Sequence, residues 1–183
     1  NNYQFTYVNT GTLSITKAML TATASSTSKV YGDANPALTV SYTGFKNSDV
    51  VGDIDTAATA ATAATILSNV GSYATTASGG VDNNYNFTYV NGSLGVTKAT
   101  LTATSQNATR EYGAADPTYT FNYTGFRNSD TVTDIDTQAT GSTPGATILT
   151  DVGSGFAING SGALDNNYQF TYVNTGTLSI TKA

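Results

Sequence analysis

The sequence predicts a mostly β protein: tandem small β-rich modules, each with at most a short helix, joined end to end in a rod. Three observations carry this. One motif recurs three times, the stretches between its copies also match, and most of each copy alternates apolar and polar residues with the period of a strand. NNYQFTYVNTGTLSITKA at 1–18 returns residue for residue at 166–183, and NNYNFTYVNGSLGVTKA runs from Asn83 to Ala99. Tyr3, Tyr85 and Tyr168 thus recur 82 and 83 residues apart. Between them KVYGDANPALTVSYTGFKNSD (29–49) aligns with REYGAADPTYTFNYTGFRNSD (110–130), and ATILSNVGS (64–72) with ATILTDVGS (146–154). The chain therefore divides into the C-terminal hairpin of a preceding module (1–18), module 1 (19–99) and module 2 (100–183). The identical ends imply a longer register of 165 residues, and so a parent array that repeats the pair.

Within a module the strands are read from alternation. Leu38, Val40 and Tyr42 share one face, as do their counterparts Tyr119, Phe121 and Tyr123. Tyr85, Phe87 and Tyr89 oppose Asn86 and Thr88, and Leu13 and Ile15 oppose Thr12, Ser14 and Thr16. Asn91-Gly92, and Asn174-Thr175-Gly176 in the second copy, predict hairpin turns between two strands. Asn35-Pro36 and Asp116-Pro117 predict another turn. After Gly44-Phe45, KNSDVVGDID suggests a turn or two of helix capped by Ser48 or Asp49, followed by a strand ending near Ile66-Leu67.

The module junction shows a change of phase. Leu13 and Ile15 occupy odd positions, whereas Leu20, Ala22 and Ala24 occupy even ones. In one unbroken strand these sets would face opposite ways. The change falls around Lys17–Met19 and returns between Val96 and Leu101. A strand that leaves one core and enters the next with its buried face switched produces this pattern. The connection carries no Gly or Pro, so a stiff joint is expected.

Composition excludes several functions. Charged residues are only 10% of the chain, against about a quarter in an ordinary soluble domain, yet 39% hydrophobic content with 12 Tyr and 7 Phe argues for a folded core. A net charge of −5 and a pI near 4.3 disfavour nucleic acid. No apolar run is long enough for a membrane helix, so no membrane insertion is expected. The absence of Cys and His removes disulfides, thiolate nucleophiles, zinc–sulfur sites and Ser-His-Asp catalysis. The chain does not read as an enzyme.

The ordered string Tyr31–Pro36, Tyr42–Phe45, Asn47–Asp49, Val70–Ser72, Asn84–Asn91 and Leu94–Ala99, with a second set downstream, resembles the MBG-type repeat, YGX type. The resemblance covers nearly the whole chain. It implies a β-grasp-like module used in arrays by large bacterial surface and secreted adhesins, hence an extracellular, cell-surface location and a stalk or spacer role. It brings no catalytic residues. The second copy departs from the first at Ala114 and Asp116, where the first has Asp33 and Asn35, and at Phe156 in place of Tyr73.

Candidate sites each have a plainer reading. Asp49, Asp53 and Asp55, recurring as Asp130, Asp134 and Asp136, offer oxygen ligands of the kind calcium takes. The same residues serve as caps and turn formers, and no EF-hand loop with its closing Glu is present. No other cofactor is expected. A glycosidase carboxylate pair would have to recur in every module, and Glu111 is the only Glu. The stripe Tyr85, Phe87, Tyr89 would suit a sugar-stacking platform or, more simply, a core with hydroxyls at its rim. The Thr21/Thr23 and Thr100/Thr102/Thr104 ladders would suit ordered water or a solvated strand face. Lys17, Lys98 and Lys182 close each copy and read as charges at the module joint rather than isopeptide partners. Sequons at Asn86, Asn91, Asn107, Asn122 and Asn159 follow from a Thr- and Asn-rich composition. The expected role is a structural stalk or filament, with repeated weak carbohydrate or mucin binding as the alternative. Expected partners are neighbouring copies of the module, including head-to-tail strand complementation by the orphan 1–18 hairpin, and cell-surface glycans.

Overall fold

The structure is a computed structural model and describes residues 2–183. The chain is mostly β, built as two tandem modules in which each strand set is repeated. Module 1 contains β1 (Ala18–Ala24), β2 (Thr27–Val30), β3 (Val40–Thr43), β4 (Thr59–Thr62), β5 (Gly71–Ser78), β6 (Tyr85–Val90) and β7 (Gly92–Thr97). Module 2 contains β8 (Ala99–Ser105), β9 (Ala108–Glu111), β10 (Phe121–Thr124), β11 (Thr140–Ser142), β12 (Gly153–Ala157), β13 (Asn159–Ser161), β14 (Tyr168–Val173) and β15 (Thr177–Thr181).

Module 1 holds two small sheets and module 2 three. In module 1 the orders are β3-β1-β6 and β2-β7-β5-β4, and in module 2 they are β10-β8-β14 and β9-β15-β12, with β11 paired to β13. β6 lies parallel to β1 (Tyr85 opposite Ala18), and β7 lies parallel to β2 (Leu94 opposite Thr27). The two connections, Ser25-Ser26 and Asn91, therefore cross from one sheet to the other side by side. β5 is one strand, whereas its module 2 counterpart is bulged at Gly155, an inserted residue at φ 84°.

This pairing corrects the hairpins expected at Asn91-Gly92 and Asn174-Thr175-Gly176. β6 and β7 sit in different sheets and each takes its parallel partner from the strands that open the module. Gly92 is required by proximity rather than by a turn: a Cβ there would collide with the carbonyl oxygens of Ala24 and Ser25. The same pairing explains the N-terminal copy. Asn1 lies outside the described residues, and residues 2–17 form no strand in this chain. Tyr3, Phe5, Tyr7, Leu13 and Ile15 are all largely exposed, without the parallel pairing that β1 and β2 give to β6 and β7.

Other expectations shift in detail. The turn expected at Asn35-Pro36 comes earlier, at Tyr31-Gly32, and the strand expected to end near Ile66-Leu67 ends at Thr62. The helical turn is a single 3-10 turn, Val51–Asp53, repeated at Val132–Asp134. Its cap is Val50 rather than Ser48 or Asp49, because Asn47 and Ser48 take positive φ (51° and 67°) and belong to the preceding turn.

Alternation holds elsewhere. Leu20, Ala22 and Ala24 are buried along β1, and Leu101 and Ala103 along β8. The phase change falls where the sequence places it. β7 ends at Thr97, Lys98 intervenes, and β8 opens at Ala99 in the sheet of the next module. Leu94 and Val96 before it, and Ala99 and Leu101 after it, are all buried.

Candidate functional site

The most elaborated polar and apolar constellation is the joint between the modules. Its core is one cluster, Tyr31 and Val96 from module 1 with Ala99, Leu101, Ile135 and Tyr168 from module 2. Tyr31 stands edge-on to Tyr168 with ring centroids 5.5 Å apart, a favoured aromatic geometry. Both hydroxyls donate to one carboxylate oxygen, Asp130 Oδ2, at 3.0 Å from Tyr31 and 2.7 Å from Tyr168. The backbone amide of Arg127 donates to the Tyr168 hydroxyl at 2.8 Å. Burial, reinforced by the Asp130 carboxylate, raises both phenols above their ordinary value of 10.0, Tyr168 strongly.

The rim is polar. Asn167 uses both ends of its amide: Oδ1 accepts from the Val70 amide at 3.0 Å and Nδ2 donates to Asn69 Oδ1 at 3.1 Å. Asn128 Nδ2 donates to the Ile66 carbonyl at 3.3 Å, and Arg127 pairs with Asp33 at 3.2 Å. The ion pair is half exposed and contributes little. Gly32, at φ 81°, lies so close to Arg127 that a side chain there would collide with it. Lys98 Nζ donates to the Asp165 carbonyl at 2.6 Å, beside the crossing strand. Residues scattered over the sequence thus meet at one face. The tyrosine of the Tyr-Gly pair was the available signal, since it recurs without a place in any strand alternation.

The acidic residues are each engaged locally. Asp49 accepts from the Tyr85 hydroxyl at 2.7 Å, as Asp130 does from Tyr168. Asp53 and Asp134 accept the amides of Val50 and Thr131 at 2.8 and 2.7 Å, closing the 3-10 turns. Asp55 and Asp136 accept the amides of Asn83 and Asn166 at 2.9 and 3.1 Å. Among the described residues no group of three acidic side chains comes together as a metal site. Tyr85 is buried, Phe87 is half-buried, and Tyr89 lies flat against Phe87 at the rim, its hydroxyl accepting the Gly80 amide at 2.9 Å.

Asp82 and Asp165 hold the chain before β6 and β14. Asp82 Oδ1 accepts the amides of Asn84 (2.6 Å) and Tyr85 (3.0 Å), which hold its carboxyl below the ordinary value against the cost of burial. A cleft between the start of β1 and the chain before β6 is lined by Lys17, Lys46, Asn47, Asp49, Asn84 and Tyr85.

Fold and joint define a tandem β-repeat protein whose modules dock through a built interface. The profile of the MBG domain (YGX type) matches residues 20–95 and 101–179, and the chain belongs to that family. The family is one of structural repeat modules of surface proteins and is not an enzyme family. No curated protein and no solved structure matches the chain. Among the described residues no helix is long and apolar enough to cross a membrane.

Proposed function

We propose that this chain is a segment of a stalk or filament of a bacterial extracellular adhesin, where it projects a binding domain or forms the body of a surface fibre. The observation that supports the reading is the joint. Two modules tied only by a tether would show bare facing ends. Here Tyr31 is buried against the next module, and five side-chain hydrogen bonds or ion pairs cross the boundary. The linking strand passes from one sheet to the next across a single residue, Lys98. A joint of this kind resists bending and transmits tension, which a stalk requires.

The chain has no Cys, so labelling is unambiguous. Spin labels at Thr88→Cys and Thr171→Cys, both exposed strand positions, report the distance across the joint. A single narrow distance distribution is expected, broadened by Tyr31→Ala. A broad distribution in the unmodified joint overturns the stalk reading.

A further inference from the structure

The joint has two bare counterparts, one at each end of the chain. At the module 1 end, Tyr85, Asp49, Lys46 and Asn84 stand where Tyr168, Asp130, Arg127 and Asn167 stand in the joint. Their geometry is already that of the occupied joint. The Tyr85 hydroxyl reaches Asp49 at 2.7 Å and accepts the Lys46 amide at 2.8 Å, matching the 2.7 and 2.8 Å of the Tyr168 set. Phe45 stands edge-on to Tyr85 at 5.9 Å, as Phe126 does to Tyr168 at 6.0 Å.

At the module 2 end the opposite half lies open. Tyr112 and Val152 are the counterparts of Tyr31 and Val70, but they are 44% and 50% exposed, whereas Tyr31 is 6% exposed. Gly113 has the positive φ of Gly32, 80°, with nothing within 4 Å of the Cβ position that at Gly32 meets Arg127. The apolar clusters tell the same story. The joint cluster contains Leu101, Ile135 and Tyr168, the counterparts of Leu20, Ile54 and Tyr85 in the module 1 end cluster. It also contains Val96, the counterpart of Ile180 in the module 2 end cluster. The two end clusters are the two halves of a joint core, separated.

We propose that the face around Tyr112 and Val152 docks onto the face around Tyr85 and Asp49 of a second copy of this sequence placed in tandem, forming a second joint. This rests on the stalk reading and adds its contact chemistry. Tyr112 would share Asp49 with Tyr85, and Asn84 would accept from the Val152 amide and donate to Asp151, which replaces Asn69 as the acceptor. Asn47 would donate to the Ile148 carbonyl. The ion pair is the one contact not conserved between the joints: Arg127 and Asp33 become Lys46 and Ala114. The second joint is therefore the less salt-sensitive of the two. It also gives residues 1–18 their place, since they are identical to 166–183 and would form β14 and β15 of the copy before.

The test is a tandem chain in which residues 1–165 are followed directly by residues 1–183, so that the shared motif is the seam. Labels at Thr6 of the second copy, which takes the place of Thr171, and at Thr88 of the second copy report the new joint, and labels at Thr88 of the first copy and that same Thr6 report the original one. The expected result is equally narrow distributions, with exchange of the Val152 amide of the first copy slowed about tenfold or more relative to the single chain. Tyr112→Ala in the first copy should undo both effects while leaving the melting temperature of the single chain within about 2 °C, as for other exposed positions. A broad second distribution beside a narrow first one, or a narrow one that Tyr112→Ala leaves unchanged, overturns this proposal and leaves the stalk reading standing. Broad distributions at both joints overturn both.

Discussion

At the residue scale, the two modules solve the same local problems with exchanged parts. Arg110 is buried and pairs with Asp116 at 2.7 Å while donating to the Thr147 carbonyl at 2.5 Å. In module 1 Lys29 is equally buried but donates only to the carbonyls of Thr65 (2.6 Å) and Asp33 (2.9 Å), and Asn35 takes the place of Asp116. The cation and its neighbour change together, so both variants stay satisfied. The glycines of β7 make a sharper contrast. A Cβ at Gly92 would meet two carbonyl oxygens that belong to backbone, whereas one at Gly95 would meet the Ser28 side chain at 3.8 Å and the Thr27 carbonyl oxygen at 3.9 Å, both ordinary contacts. Gly92→Ala is expected to destabilise module 1 by about 2–3 kcal/mol, the scale of a forced backbone shift. Gly95→Ala should be neutral or slightly stabilising, because glycine in a strand interior carries an entropic cost. Urea unfolding of the two variants separates these outcomes, and equal midpoints would show that the crossing is not tight.

At the element scale, alternation revealed most strands but not their partners. The faces of Tyr85/Phe87, Leu20/Ala22/Ala24 and Tyr119/Phe121/Tyr123 follow from period-two spacing alone, and so does the switch of buried face at Lys98. Pairing between strands 67 to 70 residues apart leaves no local trace. Asn-Gly between two apolar runs carries a strong hairpin signature, and here a tertiary crossing over Ser25-Ser26 overrides it. The joint left as signs in the sequence a phase change, a recurring Lys and the tyrosine of the Tyr-Gly pair, because Tyr31, Asn69, Arg127 and Asn167 belong to loops whose meeting depends on the whole fold. The same long-range pairing sets what the N-terminal copy contributes. Leu13 and Ile15 are about nine-tenths exposed, and Lys17, through its bond to the Asp82 carbonyl at 2.8 Å, marks where the segment first engages module 1. Removal of residues 1–16 should therefore shift the urea midpoint by less than the equivalent of about 0.5 kcal/mol, as for other surface changes. A larger loss would mean that the segment packs on module 1 in solution.

At the scale of the whole molecule, the titratable groups place stability on a plateau with two edges. Asp116 pays for burial, but the Thr143 hydroxyl, the Tyr119 hydroxyl and Arg110 outweigh that cost and hold its carboxyl below the ordinary 3.8. Asp82 is held down in the same direction. A depressed carboxyl stabilises the fold above its unfolded value and loses that contribution as pH falls through its folded value, so the acid edge lies below about pH 4. Tyr31, Tyr119 and Tyr168 are raised mainly by burial; Tyr85 is raised despite the Lys46 amide, through burial and its bond to Asp49. A raised phenol stabilises the fold below its unfolded value of 10.0 and loses that contribution as pH climbs through its folded value, so the alkaline edge begins above pH 10. The chain has no His and no Cys, the side chains whose ordinary values fall between the edges. The urea midpoint is expected to be flat from about pH 5 to 9 and to fall outside that range. Two of the four tyrosines, Tyr31 and Tyr168, share Asp130 at the joint, so the alkaline edge should loosen the joint as it destabilises the modules. The Thr88/Thr171 label pair should then broaden above pH 10 in step with tyrosinate absorbance, and Tyr31→Phe should delay that broadening. Broadening that sets in near neutral pH would place the controlling group outside these tyrosines.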